Sequence, residues 1–179
     1  MRIISGTRRG HKLCGFDGDD VRPTTDRVKE SVFNLIQTYI PDAVCLDMFA
    51  GSGALSLEAL SRGAAEAVCT DSDKRSVDII SKNIAALGFF ENCEVIHTSC
   101  FDYIVSAGKK FDIIFLDPPY NKGLIKPALT AIVDNAALNE DGIIVLESDD
   151  TDFHGETDGL TLLKQRKYGR TYITVYKKA

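Results

Sequence analysis

The stretch "AVCLDMFAGSGALSLEALSRGAAEAVCTD", residues 43–71, decides the fold. Its first seven residues, "AVCLDMF", form an apolar run of strand length. "GALSLEALSRG" has helical composition and a glycine stop, and "EAVCTD" (66–71) returns to a strand. Strand, glycine turn, helix and strand make a βαβ unit. Because both strands are nearly all apolar, the sheet they belong to is covered on both faces.

The same alternation continues outward. "DKRSVDIISKNIAALG" reads as a helix, "CEVIHT" as a third strand, residues 101–107 as a short helix and "FDIIFLD" (111–117) as a fourth strand. A helix through "LIKPALTAIVDNAAL", the strand "GIIVLES" and a closing hairpin in "LTLLKQRKYGRTYITVYKK" follow. Upstream, "VRPTTDRVKESVFNLIQTYIP" predicts a helix capped by Thr24 or Thr25. Val28, Val32, Phe33, Leu35, Ile36 and Tyr39 form its apolar face, and Pro41 stops it. The first residues, "MRIISGTRRGHKLCGF", suggest a small β-hairpin. The fold expected is α/β, a doubly wound, mostly parallel sheet of seven strands with a Rossmann-like winding and a small N-terminal β-hairpin extension. Residues 1–20 read as a basic ribbon and 21–179 as the catalytic domain, with "CGFDGDDVRP" as a mobile joint between them.

A chain of 179 residues, 44% hydrophobic and 26% charged, matches one well-buried globular domain. No apolar run has signal-peptide or membrane-span length, so a cytoplasmic protein with no membrane association is expected. Cys14, Cys45, Cys69, Cys93 and Cys100 are odd in number, widely spaced and without a C-x-x-C pair. They read as reduced, small buried residues, and no metal site is expected.

Charge is unevenly placed. Arg2, Arg8, Arg9 and Lys12 open the chain, and Lys164, Arg166, Lys167, Arg170, Lys177 and Lys178 close it, both segments free of acids. The body between holds the other 11 of the 21 bases against all 26 acids. Basic ends on an acidic body suit phosphate contacts with nucleic acid, although terminal lysines and arginines also serve solubility alone.

In the glycine loop, Asp47, Phe49, Gly51 and Gly53 form D-x-F-x-G-x-G at the end of the first core strand. Glycines at that place let a ligand approach the backbone at the carboxyl edge of the sheet, where doubly wound folds bind nucleotides. Ser56 stands where a dinucleotide fingerprint has its third glycine, which weakens a nicotinamide or flavin reading. A carboxylate at Asp47 would repel a pyrophosphate but could pair with an α-ammonium group. That points to a cofactor bearing an amino acid and no phosphate, S-adenosylmethionine. Asp71, ending the second strand, suits the ribose hydroxyls of an adenosine or the cap of the next helix. Cys100 and Phe101 would lie near the adenine, with Phe101 equally readable as core.

The fourth strand runs into "DPPY", residues 117–120. Asp followed by proline commonly begins a turn. A plain turn needs neither a second proline nor an adjacent aromatic. An exocyclic base amine is a poor nucleophile because its lone pair is delocalised into the ring. The Asp117 carboxylate and the Pro118 carbonyl can each accept one N–H and support the charge that grows on the nitrogen. Tyr120 offers a ring on which a flipped-out base can stack. Among the histidines, His11, His97 and His154 fall in no metal or triad pattern, and His97 reads as a hydrogen-bonded core residue.

"DPPY", the D-x-F-x-G-x-G loop and above all "RPTTDRVKESVFNLI" resemble the bacterial 16S ribosomal RNA guanine-N2 methyltransferase family, from the "RIISGTRRGHKL" ribbon to the "YGRTYITVY" end. The resemblance implies a class I methyltransferase fold, with Asp47, Gly51, Gly53 and Asp71 holding S-adenosylmethionine and Asp117 to Tyr120 holding the target guanine. It further implies that the basic ribbon, through Arg8, Arg9 and Lys12, and the "RPTTDR" motif, with Arg22, Thr24 and Arg27 facing RNA or cofactor, grip RNA and close over the site. The implied partner is 16S ribosomal RNA within a small-subunit particle or an assembly intermediate, bound by a monomer. The acidic "DGDD" at 17–20 departs from a uniformly basic footprint. The tip alone would equally serve an adenine-N6 or cytosine-N4 methyltransferase. The basic ends alone would allow an RNA-binding module without catalysis, which would have no need of "DPPY".

Overall fold

A computed structural model describes residues 1–16, 26–149 and 157–179 of the chain. The βαβ unit is β1 (Val44–Asp47), α2 (Ala54–Ser61) and β2 (Glu66–Asp71), after a first helix α1 (Asp26–Leu35) that runs into a 3-10 turn at Gln37–Tyr39. Then come α3 (Lys74–Leu87), β3 (Cys93–His97), α4 (Cys100–Ser106), β4 (Phe111–Leu116), α5 (Ile125–Asp134), β5 (Leu138–Asp149), β6 (Leu160–Tyr168) and β7 (Thr171–Lys178). The seven strands form one sheet in the order β3-β2-β1-β4-β5-β7-β6. Neighbours pair in parallel from β3 to β5, and β7 alone is reversed, lying antiparallel to both β5 and β6.

Each face of the sheet has its own apolar layer. Val32 and Phe33 of α1, Leu57 of α2 and Ile80, Ile84 and Leu87 of α3 close one face over Cys45, Ile113, Phe115, Val145 and Ile173. Ile104 of α4 and Ile125, Leu129 and Ile132 of α5 close the other over Leu46, Ile114, Leu116, Ile144 and Tyr176. Fully burying one such side chain is worth about 1.5–3 kcal/mol relative to leaving it exposed, so the apolar strand runs that define the sheet also hold it together.

Four local expectations change, the first being that Cys14, read as buried, is exposed. The N-terminal hairpin is a narrow ribbon with a single bridge, Arg2 to Lys12, and flanking bonds Ile3 N–H to His11 O and Gly10 N–H to Ile3 O. The helix expected to run to residue 138 ends at Asp134, because Ala136 takes φ +49° and the Ala136 and Ala137 amides turn back onto Val133 O and Ile132 O. Apolar Ala137 and Leu138 suit helix and strand alike; Leu138 already starts β5. His97 is exposed, since β3 is an edge strand, and its Nε2 lies 3.0 Å from Ser72 O. Thr24 and Thr25, expected to cap α1, most of the expected joint, Arg22 and His154 lie outside the described residues.

One buried carboxylate collects several of the bonds that hold the ribbon to the body. Glu58, wholly buried on α2, accepts the Ile4 amide at 2.8 Å, the Ser5 amide at 3.0 Å and Arg62 Nε at 2.8 Å, and sits 3.2 Å from the equally buried Lys29 ammonium of α1. Lys29 Nζ also donates to Arg2 O. Gly6 lets the ribbon cross α2 at close range: at φ +84°, a Cβ there would stand 1.7 Å from Ser61 O.

Candidate active site

Parallel winding brings the ends of β1, β2, β4 and β5 to one edge, and the strand order reverses direction between β1 and β4. That reversal opens the crevice in which doubly wound sheets hold ligands. The glycine loop leaves β1 on one side of it, and residues 117–120 leave β4 on the other.

On the β1 side, Gly51 and Gly53 both take left-handed backbone, φ +55° and +76°, as the chain doubles back into α2. A Cβ on Gly51 would meet nothing within 4 Å, so its backbone faces open space. The loop is pinned from below. Thr70 Oγ1 donates to Met48 O at 3.1 Å, the Ala50 amide to Thr70 O at 3.1 Å and the Gly51 amide to Asp71 Oδ2 at 2.9 Å.

Asp71 is half-buried, and its Oδ1 accepts the Asp73 amide at 2.8 Å. The cap of α3 is Asp73, whose side chain accepts the Arg75 amide. Asp71 is therefore not the helix cap; it braces the glycine loop, and a carboxylate has lone pairs left for further donors. Cys100 opens α4 and is buried, and burial pushes its thiol up to about 11. Phe49 and Phe101 lie partly buried at the margin of the second apolar layer.

Asp47 is wholly buried. Ser56 Oγ donates to its Oδ2 at 3.2 Å, which explains a serine at a position where a dinucleotide loop would carry glycine. Oδ1 makes no hydrogen bond of ordinary geometry. Burial pushes the carboxyl up to about 7, opposed by the Ser56 hydroxyl and supported by the Asp71 charge. A buried carboxylate oxygen without a donor is costly unless something cationic or hydrogen-bonding joins it. It suits the ammonium end of an amino-acid-bearing cofactor.

On the β4 side, Asp117 is half-buried, Pro118 buried and Pro119 exposed. Tyr120 Oη donates to Glu147 Oε1 at 3.0 Å. Burial, then the charges of Glu147 and Asp117, raise the phenol above its ordinary range, so Tyr120 is a neutral hydrogen-bond donor here. Glu147 was not anticipated as part of the tip. The one signal for it is an acid closing the apolar run "GIIVLE".

Asn83 was missed too. Buried on α3, it accepts the Cys14 amide at 2.7 Å and donates to Cys14 O and Ser52 O, both at 3.0 Å. It thus joins the end of the ribbon to the glycine loop. Of the expected RNA contacts, Arg9, Lys12 and Arg27 are exposed. Arg8 is half-buried, its Nε donating to Leu87 O at 2.6 Å and its guanidinium lying over the Phe89 ring at 5.3 Å. Among the described residues, no group of acids, cysteines and histidines is arranged to hold a metal ion.

Comparison with known proteins shows the family and the fold. The family model described as conserved hypothetical protein 95 matches residues 1–177. The ribosomal RNA small subunit methyltransferase D of Haemophilus influenzae is 36% identical over 99% of this chain and 93% of its own length. The Escherichia coli protein of the same name is 42% identical over 83% of this chain and 75% of its own. The solved structure of Escherichia coli yhhF superposes with a TM-score of 0.88 at 36% identity, covering 99% of this chain and 97% of that one. The fold is that of the Rossmann-like class I methyltransferases, and the chain belongs to the conserved hypothetical protein 95 family.

Proposed function

We propose that this protein transfers a methyl group from S-adenosylmethionine to the exocyclic N2 amine of one guanine in small-subunit (16S) ribosomal RNA. The single observation that carries the reading is the crevice at the strand reversal, with a donor-less buried carboxylate oxygen on one wall and Asp117–Tyr120 on the other. The relatives named as small-subunit ribosomal RNA methyltransferases support the substrate class.

When bound, S-adenosylmethionine supplies an electrophilic methyl group. Asp47 offers its open oxygen to the α-ammonium, the backbone of Gly51 and Gly53 gives close approach, and Asp71 takes the ribose hydroxyls. Phe49, Cys100 and Phe101 border the adenine. Asp117 and the Pro118 carbonyl accept the two N–H groups of the guanine amine, so that its lone pair is directed out of the ring. Tyr120, tethered through its hydroxyl to Glu147, presents its ring to the flipped base. The N2 lone pair would then displace the methyl in line with the breaking S–C bond, leaving S-adenosylhomocysteine, and the surplus proton would depart from the N–H held by Asp117 to water. The main requirement of such a step is positioning. Arg9, Lys12 and Arg27, with Arg8, Arg22 and Thr24, contribute to the RNA grip. In this reading residues 1–20 act as the RNA-binding ribbon of a cytoplasmic monomer that works on a small-subunit particle or assembly intermediate.

The test is Asp117→Ala, assayed on small-subunit particles lacking the modification. Loss of one such stabilising group costs about 10²–10³-fold in turnover, so methyl transfer should fall by at least that much while S-adenosylhomocysteine binds within about twofold of wild type. A normal rate would remove the tip from the chemistry.

A further inference from the structure

The basic C-terminal segment has no part in the site as built so far, yet the sheet carries one end of it to the catalytic edge. β7 begins at that edge: Thr171 pairs with Asp149 and Tyr172 with Ser148, next to Glu147, the partner of Tyr120. β6 ends there too, with Tyr168 paired to Thr171, so the turn through Gly169 and Arg170 lies at the same edge as the "DPPY" tip, with β5 between the hairpin and β4. Side chains alternate across a strand. Glu147 is opposite Ile173 on β7, and Ile173 is opposite Arg166 on β6, so Glu147 and Arg166 share one face of the sheet. Two strand spacings, about 10 Å, separate them. Arg166 and Arg170 are both exposed.

The other end of the hairpin behaves differently. Lys177 and Lys178 close β7 at the opposite edge, beside Leu160 and Thr161, and Lys178 is paired with Glu140 at 2.6 Å. Charge on an edge strand such as β6 also discourages edge-to-edge pairing, and that accounts for Lys164. It does not account for Arg170, which lies in the turn beyond the ladder; Arg166 shares a face with Lys164 but lies two residues nearer that turn. Arginine's planar fork suits phosphate oxygens.

We propose that Arg166 and Arg170, at the turn end of the β6–β7 hairpin, form a second RNA contact that holds backbone phosphates next to the flipped nucleotide. This rests on the reading of the chain as a ribosomal RNA methyltransferase. An RNA gripped by the ribbon alone would be held on one side of the crevice; the hairpin supplies the other.

The experiment compares wild type, Arg166→Gln/Arg170→Gln and the control Lys177→Gln/Lys178→Gln. Each is titrated with a labelled small-subunit ribosomal RNA transcript between 50 and about 300 mM salt and assayed for methyl transfer to unmodified small-subunit particles. Removing two cations that each neutralise a phosphate should flatten the slope of log affinity against log salt by about 1.4–1.8. RNA KM should rise about tenfold or more with kcat and S-adenosylhomocysteine affinity unchanged, and the control should match wild type. An unchanged slope in the arginine variant, or an equal loss in the control, would overturn the hairpin contact while wild-type methylation keeps the proposed function standing. A wild type that binds and methylates no ribosomal RNA would take down both.

Discussion

Two fully buried carboxylates on neighbouring elements, Glu58 of α2 and Asp47 at the end of β1, have opposite surroundings. Glu58 is surrounded by donors: two ribbon amides, Arg62 and the buried Lys29 ammonium. Asp47 has one hydrogen bond of ordinary geometry, from the Ser56 hydroxyl; the Ser56 and Phe49 amides bear on the carboxyl from farther off, and Oδ1 has no partner of ordinary geometry. A saturated buried charge fastens parts of the fold to one another. An unsaturated one holds back binding capacity that a ligand can complete. The first helps to keep the ribbon on the body; the second leaves a place that a donor or a cation could complete.

The largest effect expected from this contrast is at Glu58. Glu58→Ala would strand the Lys29 ammonium, whose pKa burial already lowers, and release the Ile4 and Ser5 amides. Breaking one partner of a buried pair costs about 3–5 kcal/mol, so the midpoint of chemical unfolding should drop accordingly. A loss under about 1 kcal/mol would mean that the pair does not fasten the ribbon.

Asp47→Asn tests the other half. The folded state keeps a proton on Asp47 up to about pH 7, whereas an unfolded aspartate releases it near pH 3.9. Its contribution to stability therefore declines as pH rises from about 4 to 7, and the asparagine variant should lack that decline. Binding an ammonium next to Asp47 requires the ionised form. S-adenosylhomocysteine affinity should accordingly increase with pH up to about 7 in wild type and be weaker and flatter in Asp47→Asn, as read by calorimetry. A wild-type profile in the variant would detach Asp47 from the cofactor.

The strands and most helices were legible because each carries its own period or apolar run, and the winding follows from their alternation. The convergence of Asp47, Gly51, Asp71 and Asp117 on one edge was legible because strand ends in such a sheet meet there. Lys29, Glu58, Asn83 and Glu147 were not. A lysine three residues before Val32 on an amphipathic helix resembles a solvated charge, and an acid in "LSLEAL" resembles an ordinary helix former. Their partners are distant: Glu58 bonds residues 53 and 54 positions away, Asn83 residues 31 and 69 away, and Glu147 one 27 away. Only the folded chain brings such pairs together, so no local pattern announces them. The end of α5 is ambiguous in sequence for a related reason, since Ala137 and Leu138 pack as well in β5 as in a helix.

The central claim is that the crevice between Asp47 and Asp117 methylates the N2 amine of a guanine in small-subunit ribosomal RNA. The direct measurement is to incubate unmodified small-subunit particles with the protein and methyl-labelled S-adenosylmethionine, digest the RNA to nucleosides and identify the labelled one by mass spectrometry. The account predicts N2-methylguanosine at a single site, absent when Asp117→Ala replaces wild type. Label in N6-methyladenosine or N4-methylcytidine, or no label in the RNA, would contradict it.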